Sequence, residues 1–377
     1  MTTLSSFTVP GIWNGVRWAV QPAARGGGIS RVRLAWRAVR AALWHGKAMR
    51  RWMNIVYELQ SRGLVNDTPA EYLRAVRPFV HRRTGFTERV MQLIDHVDWA
   101  DAAFRPPAHE RLAAGQSVVL AELPVPRGYE FLRVELRRAA SSSPEGELLL
   151  ALSLQRAPEV QHRSRPVDVA VLAFSRFRVS GAPCLVIGGV RGQRNSVQRL
   201  SATEVSQALQ GWKPAVLLVR VAQELAQHWG LHLLGLDPAS HQLQGWSYRW
   251  NKHNRAAAQR LHESYNSLWD HFDAAHGPGG WMVLPLESDD KLAATALSTE
   301  KRARQTRRAD YWIRIRKLLW VQFREQLLRP NLEATESRVT QSLALESVAP
   351  PSGHPPFAAF PDSRNPLTSR LPSAAQR

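Results

Sequence analysis

Cysteine is almost absent: Cys184 is the one thiol in 377 residues. An intrachain disulfide framework and a multi-cysteine zinc site are therefore excluded. Cys184 lies in an apolar run, where a buried, inert thiol is expected. Lysine is also scarce, supplying six of the fifty cationic side chains. Arginine suits planar, bidentate contacts with phosphate or carboxylate, although genomic base composition produces the same bias. Acids number 31, which leaves a formal charge of +19 and points toward anionic partners. None precedes Glu58, while Arg17, Arg25, Arg31, Arg33, Arg37, Arg40, Lys47, Arg50 and Arg51 do. Long apolar runs are missing too. Nothing approaches the roughly 20 residues that span a bilayer, and Val167–Phe174 and Cys184–Val190 are strand-sized. The charged start and continuous apolar stretch of a secretory signal are not found at the N-terminus.

What is present reads as a folded α+β chain, with 44% hydrophobic and 21% charged residues. Residues 1–29 read as a loose basic N-terminus ending in Gly26-Gly27-Gly28. Residues 30–115 read as a helical region, with helices near 30–61, 68–76 and 86–97 and a proline-containing connector over 102–116. In the first helix Val32, Trp36, Val39 and Leu43 recur at helical spacing opposite Arg33, Arg37 and Arg40, with Ser30 as N-cap. This pattern fits a helix docked on the core with a solvated basic face. It also fits a basic membrane-surface helix, or an organellar targeting segment.

From residue 116 to 329 the pattern becomes a mixed-sheet domain closed by a basic helix. Leu148, Leu150, Leu152 and Leu154 alternate, as do Val167, Val169, Val171, Ala173, Phe177 and Val179, with Ser175 as the exception. Tyr129–Arg137 alternates more weakly. Turn residues separate these runs and predict an antiparallel meander that continues into 184–190. Ser201 and Glu204 form a capping-box pattern for a short helix. A second helix runs from Pro214 to a stop at Gly230. The strand after it, 231–237, is expected to pair parallel with 184–190. Helices over 254–275 and 297–329, with a strand at 281–284, complete the domain. Pro- and Ser-rich residues 330–377 read as a disordered tail.

Chemistry-bearing residues are scattered. Seven of thirteen histidines lie between 228 and 276, but their spacing offers no convergent set, so no metal is expected. Gly188-Gly189-Val190-Arg191-Gly192 admits a phosphate-loop reading or a simple close backbone contact. Ligands favour the carboxyl ends of parallel strands, which marks Arg191 and Gln193 after one strand and Asp237 and His241 after the other. His241 would serve as a base and Tyr265 as an acid, or both are structural. Lys301, Arg302, Arg304, Arg307 and Arg308, interleaved with Trp312 and Trp320, suit an anionic surface, either nucleic acid or membrane. A merely solvated helix face is the alternative.

Several segments look familiar in order: Ile187–Gly192, Gly211-Trp212-Lys213-Pro214, Leu217-Leu218, Trp229-Gly230, Leu234-Gly235-Leu236 and His241. Tyr265-Asn266-Ser267-Leu268-Trp269, Leu284-Pro285, Lys291, Ser298–Arg304 and Arg307-Arg308 follow; Arg89, Leu93 and His96 precede. Together they resemble the VirK/YbjX family of bacterial proteins over roughly residues 40–320. The resemblance implies a cytoplasmic bacterial protein tied to virulence, resistance to envelope-active peptides or the DNA-damage response. It carries no catalytic residues with it. The meander followed by helix, parallel strand, helix and strand is similar in topology to the GNAT acyltransferase fold. That similarity implies acyl-CoA as ligand. The usual pyrophosphate-cradling glycine pattern is missing before Pro214, and Asn254 and Tyr265 depart from that fold's spacing. A non-enzymatic binder of nucleic acid or anionic membrane is the competing expectation.

Overall fold

The computed structural model of the chain describes residues 17–19, 31–125, 129–156, 166–193, 200–244, 252–287 and 299–328. Ser30, Lys291 and the tail expected from 330 lie outside the described residues, and Asn254 is described only as part of the helix Lys252–His271. Among described residues 31–113, five helices come first: α1 (Arg31–Trp44), α2 (Gly46–Ser61), α3 (Thr68–Arg74), α4 (Phe86–Ala103) and α5 (Pro106–Ala113). Five strands follow: β1 (Val118–Pro124), β2 (Tyr129–Arg138), β3 (Leu148–Arg156), β4 (Val167–Val179) and β5 (Ala182–Gly192). Then come α6 (Ala202–Ala208), α7 (Pro214–Trp229), β6 (His232–Leu236), α8 (Lys252–His271), β7 (Ala275–His276), β8 (Trp281–Leu284) and α9 (Thr299–Gln326).

Local chemistry explains most boundaries. The Asp67 carboxylate accepts the Ala70 amide and caps α3. The Ser201 and Glu204 side chains cap α6 reciprocally. Gly230, with φ 65°, ends α7 in the left-handed conformation. Two expectations need correction. The helix expected over 30–61 breaks at His45 into α1 and α2. The connector expected over 102–116 contains a helix, because Pro106 sits in its first turn, where a missing amide hydrogen costs nothing.

All eight strands form one sheet in the order β1-β2-β3-β4-β5-β6-β8-β7. Every neighbouring pair is antiparallel except β5 and β6, which run parallel from Cys184–His232 to Ile187–Gly235. The meander and the parallel partner thus match the sequence pattern, while β1 and the two-residue β7 add to it. Both faces are covered. Leu185, Ile187 and Leu233 pack in the core with α7, α8 and α9, and the leucines at 148, 150, 152 and 154 join them. Cys184, Val186, Leu234 and Leu236 pack in a second core with the N-terminal helices. β4 is therefore apolar on both sides: Ala170, Leu172 and Phe174 are buried as well as Val169, Ala173 and Phe177 of the expected alternate set, whose Val167, Val171 and Val179 are half-buried. Ser175 is buried where a hydrogen bond awaits it, accepting the Glu147 amide at 3.0 Å.

The orientation of α1 reverses the docked expectation. Leu34, Ala38 and Ala41 face the core, and Val32, Trp36 and Leu43 face outward. Small side chains let α1 approach its neighbours closely, so the bulky stripe is left outside. No described helix is long and apolar enough to cross a membrane.

Candidate functional site

The pairing of β5 with β6 stops at Ile187 and Gly235, yet β5 continues to Gly192. The break coincides with a bulge. Phe174 pairs with Ile187 and Ala173 with Gly189, so Gly188 is the extra residue on β5. A bulge bends its strand and re-aims the residues beyond it. Gly188 is needed there because a Cβ would overlap the Glu145 carbonyl oxygen; one on Gly189 would overlap the Glu145 carboxylate. These two glycines accommodate Glu145, and the phosphate-loop reading of 188–192 gives way to a close backbone contact.

The gap opened beside β5 receives Tyr265 from α8. Its hydroxyl accepts the Val190 amide at 2.8 Å, and the residue is buried. Burial, with the nearby Glu145 charge adding, pushes its phenol above the ordinary range. Trp269, one turn on, donates to the Leu236 carbonyl at 3.1 Å. Gly235 is the counterpart, since a Cβ there would lie 2.8 Å from the Trp269 ring. Strand, bulge and helix thus place the phenol rigidly.

The other residues marked in the sequence have definite positions. Arg191 pairs with Glu145 at 2.8 Å. The Gln193 side-chain oxygen Oε1 accepts the Leu200 amide at 2.9 Å. Asp237 caps the short turn Pro238–Ser240 by accepting the Ala239 amide. His241 is fully buried, edge-on to Tyr265 with ring centroids 6.2 Å apart, and pairs through its backbone with His81. Burial, with Arg191 nearby, lowers its pKa to about 4. His241 therefore sits neutral beneath Tyr265, out of reach of solvent. Among the described residues no group of histidine, cysteine and acid side chains could hold a metal. Cys184 is buried, and its thiol is pushed up to about 12 by that burial.

The basic helix is docked rather than free. Tyr311, Ile315, Leu319 and Phe323 bury one face of α9 in the main core. The Trp212 indole donates to the Arg308 carbonyl at 3.1 Å, and the Arg308 guanidinium donates to the Gly211 carbonyl. Arg220 lies 5.0 Å from the Trp212 ring and 5.7 Å from that of Trp312. Docking carries two α9 arginines, Arg304 and Arg308, to a cavity of about 500 Å³. Gly192 and Gln193 at the end of β5, and Lys213 and Pro214 at the start of α7, line the same cavity. A neighbouring cavity, also about 500 Å³, shares Ser206, Gly211 and Arg304 and adds Arg307 and the single acid Glu204. Lys213 offers no capping side chain to the sixteen-residue α7, so that helix turns its positive end to the groove uncapped. Arg302 is exposed; the side chain of Lys301 lies outside the described residues.

The structure brings Gln193, Arg304, Arg307 and Arg308 to one groove, and Arg191, His241 and Tyr265 near one another beside β5, with His241 and Tyr265 buried. Asp237 belongs to neither. Sequence reasoning did not single out Lys213 or Glu145. Lys213 had a signal, in the Gly211-Trp212-Lys213-Pro214 turn with φ 83° at Gly211. Glu145 had none, being one acid in a turn of Ser, Pro and Gly.

An α+β protein with a bulged, parting parallel strand pair and an arginine-lined groove at its end is the class these features define. A family model described as a protein of unknown function, DUF535, matches residues 28–315, and the chain belongs to that family. This is the VirK/YbjX family that the ordered motifs resemble. No curated protein and no solved structure matches the chain.

Proposed function

We propose that the chain is an acyltransferase of GNAT-like architecture that binds a coenzyme A thioester along the β5/β6 cleft. The observation that carries the reading is the parting of β5 from β6 at the Gly188 bulge, with the cationic groove at the open end. The sheet order also supports it: an antiparallel meander, one parallel junction, then a returning hairpin. The thioester arm would run from the groove at the end of β5 toward the Tyr265 hydroxyl that closes the gap, and its phosphates would meet Lys213, Arg304, Arg308 and the amino end of α7. These side chains stand in for the glycine-rich cradle that the sequence lacks. In the transfer an acceptor nucleophile attacks the thioester carbonyl and the carbon–sulfur bond breaks. The departing thiolate takes the Tyr265 proton, and the proton that the acceptor nucleophile releases returns to the phenolate. The family resemblance sets this activity in resistance to envelope-active peptides or in the DNA-damage response.

The test is thermal unfolding of the full chain with coenzyme A, acetyl-CoA and a longer acyl-CoA, beside DNA and RNA. A saturating ligand stabilises by about 2.7 kcal/mol at a hundredfold excess over Kd. Lys213→Ala with Arg304→Gln should remove the stabilisation by CoA compounds, while Arg302→Gln with Arg314→Gln leaves it. Stabilisation by nucleic acid alone, lost in the second pair, would instead favour a polyanion-binding surface on α9.

A further inference from the structure

A second cationic cavity lies among the N-terminal helices, which pack against the face of the sheet opposite α7. Its volume is about 260 Å³, and Arg37, Arg40, Arg82, Arg89, His45 and His81 all line it. No acidic side chain does. The cavity opens at Gly85, the N-cap of the eighteen-residue α4, which has no capping side chain. Arg89 donates to the Ala75 and Thr84 carbonyls, and its Nε is buried without a hydrogen-bond partner. Burial, then Arg37 and Arg40, lower its pKa to about 10, with Glu88 opposing them. Cations gathered this closely repel one another, and an anion placed among them would relieve that repulsion.

The same helix that supplies Arg37 and Arg40 carries the outward apolar stripe. Val32 is 79% exposed, Trp36 62%, Leu43 58% and Trp44 65%. At about 100° per residue, Val32, Trp36 and Leu43 fall within roughly 40° of one another. Arg40, Arg33 and Arg37 come next around the helix, before the buried side begins. An exposed tryptophan–aliphatic stripe bordered by arginines matches the boundary between lipid headgroups and acyl chains. The whole N-terminal stretch up to Glu58 adds cations and no acid.

We propose that α1 and the arginine cavity form a docking surface for an anionic lipid bilayer, with Trp36 and Leu43 entering the interface and a headgroup phosphate seated among Arg40, Arg82 and Arg89. This surface is separate from the cleft of the proposed transferase. It would hold the chain at a membrane without spanning it.

The experiment uses the full chain and vesicles of phosphatidylcholine, alone or with one-third phosphatidylglycerol, at about 0.15 M salt. Cys184 is buried, so Leu43→Cys supplies an accessible thiol for an environment-sensitive fluorophore. The label should shift to the blue on phosphatidylglycerol vesicles and stay unshifted on phosphatidylcholine. Trp36→Ser should weaken vesicle binding about tenfold, and Arg40→Gln with Arg82→Gln about thirtyfold, at roughly 1 kcal/mol per arginine. Binding to vesicles without the shift, or equal binding by all variants, would overturn the proposal by assigning attachment to charge elsewhere. A dimer that Trp36→Ser dissociates, with no vesicle binding, would overturn it in favour of a second copy on the stripe. Stabilisation by inorganic phosphate without vesicle binding would overturn it in favour of a soluble anion.

Discussion

Arg74 is 1% exposed and surrounded by acceptors. It meets Glu71 at 3.0 Å, pairs with Glu147, and donates to the carbonyls of Ala139 and Ala140. Arg138 adds a second cation at 3.2 Å from Glu71. The cluster ties α3 to the β2–β3 turn, so one side chain couples the helical region to the sheet. Glu147 feels burial more than it feels Arg74, and its pKa rises to about 7. Arg74→Ala leaves two buried carboxylates without their main partner and should cost about 3–5 kcal/mol in urea unfolding. Adding Glu147→Gln should restore part of that loss. A cost below about 1 kcal/mol would mean that water reaches the cluster.

At the scale of elements, the β5 bulge and its glycines make the sharpest prediction. Gly188→Ala puts a methyl into the Glu145 backbone, which cannot move without shifting the β2–β3 turn. Soluble yield should collapse, or stability fall by roughly 3 kcal/mol or more. Gly192→Ala, four residues on, meets nothing within 4 Å and should be close to neutral by the same measurement. The strands β3, β4 and β5 were legible because alternation and turns repeat over nine to thirteen residues. The bulge was not, because nothing in Ile187-Gly188-Gly189 distinguishes a close approach from a ligand loop. The α1 stripe was legible as a stripe, but not its direction: Leu34, Ala38 and Ala41 also lie at helical spacing, and only packing decides which face turns inward. In the site, Tyr265 and Arg304 could be marked by residue type. Their assignment to cleft and groove depends on how α8 and α9 dock, which the linear pattern does not encode.

For the molecule as a whole, acid is the condition that reveals how the cores are built. Burial holds His96 near pKa 3, with Arg74 and Arg176 adding, and His241 near 4. Unfolding returns both to about 6.5, so the unfolded chain takes up protons that the folded chain refuses. Stability should therefore fall as pH drops from about 6.5 to 4, by roughly 1.4 kcal/mol per unit for each histidine. Asp98 acts in the opposite sense. Burial and its neighbours Asp95 and Asp101 raise it to about 6, so protonation favours the folded form below that pH. Asp98→Asn should thus steepen the acid loss in urea titrations at pH 7.5, 6 and 5; a flat profile in both proteins would contradict neutral burial of the histidines. The core shared by the N-terminal helices and the sheet also bears on synthesis. Met49, Trp52 and Phe79 leave the ribosome early, yet they pack with Val186, Leu234 and Leu236, which emerge more than a hundred residues later. Until β6 is made, the nascent helices have no lasting cover for their apolar sides. Production of this chain should then depend on chaperones during translation, and the helical region has no early, independent folding step to rely on.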